Sequence, residues 1–193
     1  MKKYIILGII VIVLIVGLLW PDNSLKGKIN IEMSIKDYGK IKLELDADNT
    51  PITVTNFVKL INEKFYDGLT IHRVIDGFMI QGGDPSRNGT GGSSETIKGE
   101  FSTNGVNNKI LHKRGVISMA RRSNDPNSAS SQFFIMQKDN ETLDGNYAAF
   151  GHVTSGIEVV DKIVESVSGL GDDNGLIPSD NQPVIEYIKV INN

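Results

Sequence analysis

The chain of 193 residues contains no cysteine. That absence removes disulfides, thiolate zinc sites, a cysteine nucleophile and a lipidated-cysteine anchor in one step. An excess of positive charge is also missing, since 20 Lys and Arg stand against 23 Asp and Glu for a formal net charge of -3. No nucleic-acid partner is expected without a basic face. There is no G-x-S-x-G for a hydrolase, and the glycine-rich stretch 82–92 lacks the lysine of a P-loop. The three histidines, His72, His112 and His152, are too dispersed for a metal set, and His72 within a strand reads as a buried, satisfied histidine. Asp172-Asp173-Asn174-Gly175 faintly resembles a calcium loop, but the glycine comes too early and no glutamate sits at the twelfth position. It reads as a solvated turn. No internal repeat or low-complexity tract is present.

What the chain does have is one long uncharged run. Lys2 and Lys3 precede residues 4–20, which carry no charged side chain. As a helix this run spans roughly 26 Å, just enough to cross a bilayer core. Leu18, Leu19 and Trp20 occupy the positions where a signal peptide carries small residues, so the run reads as an uncleaved anchor. The two leading lysines place the N-terminus in the cytoplasm by the positive-inside rule. The expectation is a single-pass cell-membrane protein with its folded part on the extracytoplasmic side, or a secreted protein if the segment is cleaved. The predicted division is 1–21 anchor or signal segment, 22–27 linker, and 28–193 one folded domain.

Within that domain Ile29, Ile31, Met33 and Ile35 alternate with polar residues, and Ile41, Leu43 and Leu45 do the same after a Tyr38-Gly39 turn. This period of two predicts a hairpin with one buried face. Thr50-Pro51 predicts a helix start, with threonine as N-cap and proline in the first turn. Phe57, Val58 and Ile61 follow at helical spacing up to Asp67-Gly68. Short apolar runs at 69–75, 78–80, 115–120, 132–136, 147–153 and 184–191 are separated by glycine- and asparagine-rich connections, as in an all-β sandwich or barrel. A second helix is expected after Thr154-Ser155, carrying Ile157, Val160, Ile163 and Val164. About eight strands and two helices result.

The residues 71–84 read Ile-His-Arg-Val-Ile-Asp-Gly-Phe-Met-Ile-Gln-Gly-Gly-Asp. In a strand Ile71, Arg73 and Ile75 share one face, and Met79 shares a face with Gln81 as Gln132 does with Phe134. Taken singly, Arg73 is a solvated strand arginine, and Phe78, Met79 and Phe134 are core. Taken together the stretch resembles the cyclophilin signature, departing from it at Ile71. Gly89-Thr90-Gly91-Gly92, Ser131-Gln132-Phe133-Phe134-Ile135, and Leu143-Asp144-Gly145 with Phe150-Gly151 agree in order and spacing. The resemblance runs from about Lys28 to the C-terminus.

The resemblance implies a mainly β fold, a closed eight-stranded antiparallel β-barrel capped by two α-helices, to which the uncharged run 4–20 would add one N-terminal transmembrane helix. It implies peptidyl-prolyl cis/trans isomerase activity on proline-containing polypeptides, with no cofactor and no metal, in a monomer. Arg73 and Gln81 would be the catalytic residues. Phe78, Met79, Phe134 and Leu143 would hold the proline ring, Tyr147 would stand at its edge, and Ala120, Arg121 and Gln132 would line the adjoining groove. Tyr147 and the Ser118-Met119-Ala120-Arg121 block resemble bacterial members. Thr142 replaces a tryptophan found in many eukaryotic members, which implies weak cyclosporin binding. A non-catalytic module holding proline segments, as a chaperone or assembly partner, is the alternative. A pure binder has no need of Arg73.

Overall fold

A computed structural model describes residues 24–191. The expected anchor at 1–21 therefore lies outside the described residues, and among the described residues no helix is long and apolar enough to cross a membrane.

The predicted hairpin forms from β1 (Lys28–Ile35) and β2 (Gly39–Asp46), in register from Lys28 opposite Asp46 to Ile35 opposite Gly39. Asp37 and Gly39 take positive φ at the turn, a conformation that glycine and aspartate tolerate best. Alternation works as expected: Ile31, Met33, Ile35, Ile41, Leu43 and Leu45 are all fully buried on one face. Helix α1 (Pro51–Asn62) begins at Thr50-Pro51, but the Thr50 side chain is not its cap. The Thr50 hydroxyl donates to the Asp46 carbonyl instead. The orphan donors go to the Glu100 carboxylate, which accepts from Ile52 N (3.1 Å), Thr53 N (2.7 Å) and the Thr53 hydroxyl (2.7 Å). A residue far along the chain thus replaces the local cap, and its negative charge suits the helix N-terminus.

The chain continues through β3 (Ile71–Ile75), β4 (Met79–Gly82), β5 (Val116–Met119), β6 (Phe133–Met136), β7 (Ala149–Ser155), α2 (Ile157–Ser166) and β8 (Ile185–Val190). The eight strands form one antiparallel sheet in the order β3-β4-β6-β5-β7-β2-β1-β8. Every strand contributes to one core, joined by Val54, Phe57, Leu60 and Ile61 of α1 and by Val159, Val160, Ile163 and Val164 of α2. At its centre the Phe57 ring meets Tyr66, Phe133 and Phe150 at centroid distances of 4.9, 5.6 and 5.1 Å.

The expected closed barrel is not what forms. The sheet is a half-barrel whose ladder ends at β3 and β8, and these edges meet only at the isolated bridge Thr70–Val184 and its flanking bonds. Pro183 sits at this seam without an N–H to extend the ladder. Beyond it the free edge of β3 is taken by the segment 175–177, with Val74 N donating to Gly175 O and Ile177 N to His72 O, both at 2.9 Å.

Candidate active site

The outer faces of β4, β6, β5 and β7 carry a second, smaller apolar cluster: Met79, Val116, Phe134, Met136 and Ala149, with Phe78, Leu143 and Tyr147 packed against it. Alternation explains it, because Ile80, Phe133, Ile135 and Ile117 of the same strands point into the main core. The expectation that Ile71 and Arg73 share a face is corrected here. The pairing of β3 with β4 shifts register between Ile71 and Arg73, so Ile71 enters the main core while Arg73 stands outside with Ile75. Such an irregularity re-aims the side chains that follow it.

A cleft of about 390 Å3 opens over this outer cluster, lined by Arg73, Phe78, Met79, Gln81, Gly89, Ala120, Arg121, Phe134, Leu143 and Tyr147. Nine of the ten site residues expected from sequence therefore converge on one cleft. The tenth, Gln132, lines an adjoining recess of about 310 Å3 that shares Gln81, Gly89, Ala120 and Arg121 with it. Met79 and Phe134 form a dry floor, and Phe134 meets the edge of Tyr147 at 5.9 Å between centroids.

The polar side of the cleft is a chain of amides ending at the arginine. The Asp84 carboxylate accepts from Ser86 N (2.7 Å), Asn88 N (3.1 Å) and Gly89 N (2.6 Å) and so shapes the glycine loop. Burial disfavours its charge, but these backbone N–H groups outweigh burial and hold its pKa below the usual carboxylate value. A side chain at Gly91 would run into that carboxylate. The loop offers the Gly89 and Gly91 carbonyls to Gln132 Nε2 at 3.0 and 2.7 Å. Gln81 Nε2 then donates to Gln132 Oε1 (2.8 Å), and Arg73 Nη1 donates to Gln81 Oε1 (3.0 Å). Arg73 Nε donates to the Asn174 carbonyl at 2.7 Å, and Nη2 is bonded to no described residue. Burial lowers the Arg73 pKa and Asp172 opposes that shift, yet a guanidinium stays charged at neutral pH.

Arg121 lines the cleft but is already committed. Its Nε donates to Asn146 O (3.0 Å), its Nη1 to the Arg122 and Ser123 carbonyls, and its guanidinium lies over the Tyr147 ring at 4.7 Å. Behind Phe134 lies a buried chain that sequence reading missed: His112 Nδ1 with Asp144 Oδ1 at 2.9 Å and His112 Nε2 with Ser118 Oγ at 3.1 Å. The His112 ring stacks on Phe134 at 6.0 Å. Nothing local marks this chain, since its members come from three separate segments. Asn174 was missed for a related reason: it acts through its backbone carbonyl, which no side-chain motif records. The described residues contain no cluster of His, Cys, Asp and Glu able to hold a metal ion.

Fold and cleft together define a β half-barrel with an apolar peptide-sized groove on its outer wall and a charged donor at the rim. The family model for cyclophilin type peptidyl-prolyl cis-trans isomerases matches residues 30–190. Peptidyl-prolyl cis-trans isomerase B of Bacillus subtilis is 49% identical over 124 residues, covering 64% of this chain and 82% of the relative. A Helicobacter pylori isomerase is 49% identical over 127 residues, covering 65% and 74%. A cyclophilin type isomerase of Cryptosporidium parvum, solved in the presence of the dipeptide Ala-Pro, superposes with a TM-score of 0.73 at 29% identity, covering 85% of this chain and 99% of that one. The chain belongs to the cyclophilin type peptidyl-prolyl cis-trans isomerase family, and its activity is prolyl isomerisation.

Proposed function

We propose that Arg73 is the group that lowers the rotation barrier, and that the enzyme acts on proline-containing chains outside the cell membrane. Rotation about a peptide C–N bond must break resonance at a cost of roughly 18–20 kcal/mol, and X–Pro exchange without catalysis takes tens to hundreds of seconds. At the twisted transition state the nitrogen regains its lone pair. A fixed donor aimed there stabilises that state more than either planar isomer. The observation that carries the reading is the Arg73 guanidinium, held at Nε and Nη1 but unbonded at Nη2, on the rim of the apolar cleft.

In this reading Phe78, Met79, Phe134 and Leu143 hold the proline ring, with Tyr147 at its edge. The dry floor adds to the rate, because the planar amide is more dipolar than the twisted one and loses more on leaving water. Gln81 has both amide ends engaged, so it steadies Arg73, while its second Nε2 hydrogen serves the substrate backbone. Gln132 is held by the glycine loop, and Ala120 and Arg121 form the groove wall for residues preceding proline. Weak cyclosporin binding is part of the proposal. Thr142 is short, and its hydroxyl already donates to Asn140 Oδ1 at 2.6 Å. A bacterial-type enzyme is favoured by Tyr147, by the Ser118-to-Arg121 block and by the two bacterial relatives at 49% identity. Lys2, Lys3 and the uncharged run 4–20 support a membrane anchor with the domain on the outer side.

Arg73→Ala removes a charge-assisted bond worth about 2–4 kcal/mol, so kcat/KM on a prolyl peptide should fall about thirty-fold to a thousand-fold. The melting temperature should hold. Near wild-type turnover by a folded Arg73→Ala protein would remove Arg73 from the mechanism.

A further inference from the structure

The Asp172-Asp173-Asn174-Gly175 turn is not an idle connection, because it seals the open edge of the half-barrel beside Arg73. Gly175 O accepts from Val74 N and Ile177 N donates to His72 O, so the segment lies along β3 as a bridge opposite Arg73. Gly175 has φ +80, and a Cβ there would stand 2.6 Å from the Val74 carbonyl oxygen. The turn is fastened internally by Asp172. Its Oδ1 accepts from Asn174 N and from Leu176 N, both at 2.9 Å, while its backbone N–H and carbonyl bond to Leu176 O and Gly175 N. The Asn174 carbonyl is thereby aimed at Arg73 Nε, 2.7 Å away.

We propose that Asp172 is a positioning residue for Arg73, acting through the Asn174 carbonyl. The inference rests on Arg73 being the transition-state donor. Gln81 restrains Nη1 and Asn174 restrains Nε, and two bonds on different nitrogens fix the plane of a guanidinium where one leaves it free to rotate. With that plane set, Nη2 points at the cleft without a reorganisation cost during rotation of the substrate bond. Asp172, Asp173 and Asn174 are themselves exposed and add nothing to the main core, so the fold should tolerate change here.

The test pairs turnover with the Arg73 Nε–H resonance in 15N-labelled protein, assigned by its loss in Arg73→Ala. Asp172→Ala should speed solvent exchange of that proton several-fold. It should also lower kcat/KM about three- to ten-fold, mainly in kcat, the scale of one lost hydrogen bond. Asp172→Asn keeps an oxygen acceptor in the turn, so both readings should stay near wild type. In the Arg73→Ala background Asp172→Ala should cost nothing further. Wild-type exchange and turnover in Asp172→Ala would overturn the proposal, as would Asp172→Asn falling as far as alanine or an equal loss in both backgrounds. Arg73→Ala with undiminished turnover would instead reject Arg73 as donor, leaving the exchange rate to decide whether Asp172 fixes its side chain.

Discussion

His72 lies wholly inside the half-barrel wall, and neither ring nitrogen makes a hydrogen bond of good geometry, although the Gln132 side chain and the Thr70 backbone act on the ring. The burial is as sequence reading predicted. Burial pushes its pKa below the ordinary 6.5, and the Asp84 carboxylate nearby offsets only part of that. His112 is shifted the same way, by burial against the opposing pull of Asp144. Both rings are therefore less readily protonated folded than unfolded. As pH falls through about 6.5 the unfolded chain gains protons that the native state does not bind, so stability present above that pH is lost on the way down to the depressed native values. The melting temperature should be lower at pH 5.5 than at pH 7.5. His72→Leu removes one of the two rings that titrate differently in the folded and unfolded chain, so it should flatten part of that dependence. Calorimetry across the range checks this, and an unchanged slope would count against it.

At the scale of elements, hairpin and helices were legible because their hydrophobic periods are local and uninterrupted. Strand β3 was legible in extent but not in facing, since a single register shift between Ile71 and Arg73 separates two side chains that simple alternation puts together. Helix α1 shows the same limit at its start, where Thr50 has the right identity but Glu100 does the capping. Glu100→Ala would leave the buried Thr53 hydroxyl and two helix N–H groups without this partner. A loss of about 1–3 kcal/mol is expected, seen as a melting temperature lower by a few degrees. Turnover per folded molecule should be unaffected, because Glu100 is outside the cleft. A variant as stable as wild type would show that water replaces the carboxylate.

For the whole molecule, the proposed anchor predicts where the domain sits. Protease added to intact cells, or to spheroplasts where there is an outer membrane, should digest the folded domain. Protection would reverse the proposed orientation, and a mature N-terminus after Trp20 would make the run a cleaved signal.

Strand count and helix count followed from sequence, because alternation and helical spacing depend on residues near one another in the chain, and cleft membership was what the resemblance of the ordered motif blocks implied. Closure of the sheet did not follow. Whether β3 and β8 continue one ladder depends on Pro183 and on a turn about a hundred residues from Arg73 competing for the same edge. The orientation of Arg73 belongs to the same category, since it hangs on a side-chain amide from β4 and on a backbone carbonyl at Asn174. Hydrophobic pattern is written residue by residue, but a hydrogen bond between distant segments exists only once packing has brought donor and acceptor to within about 3 Å.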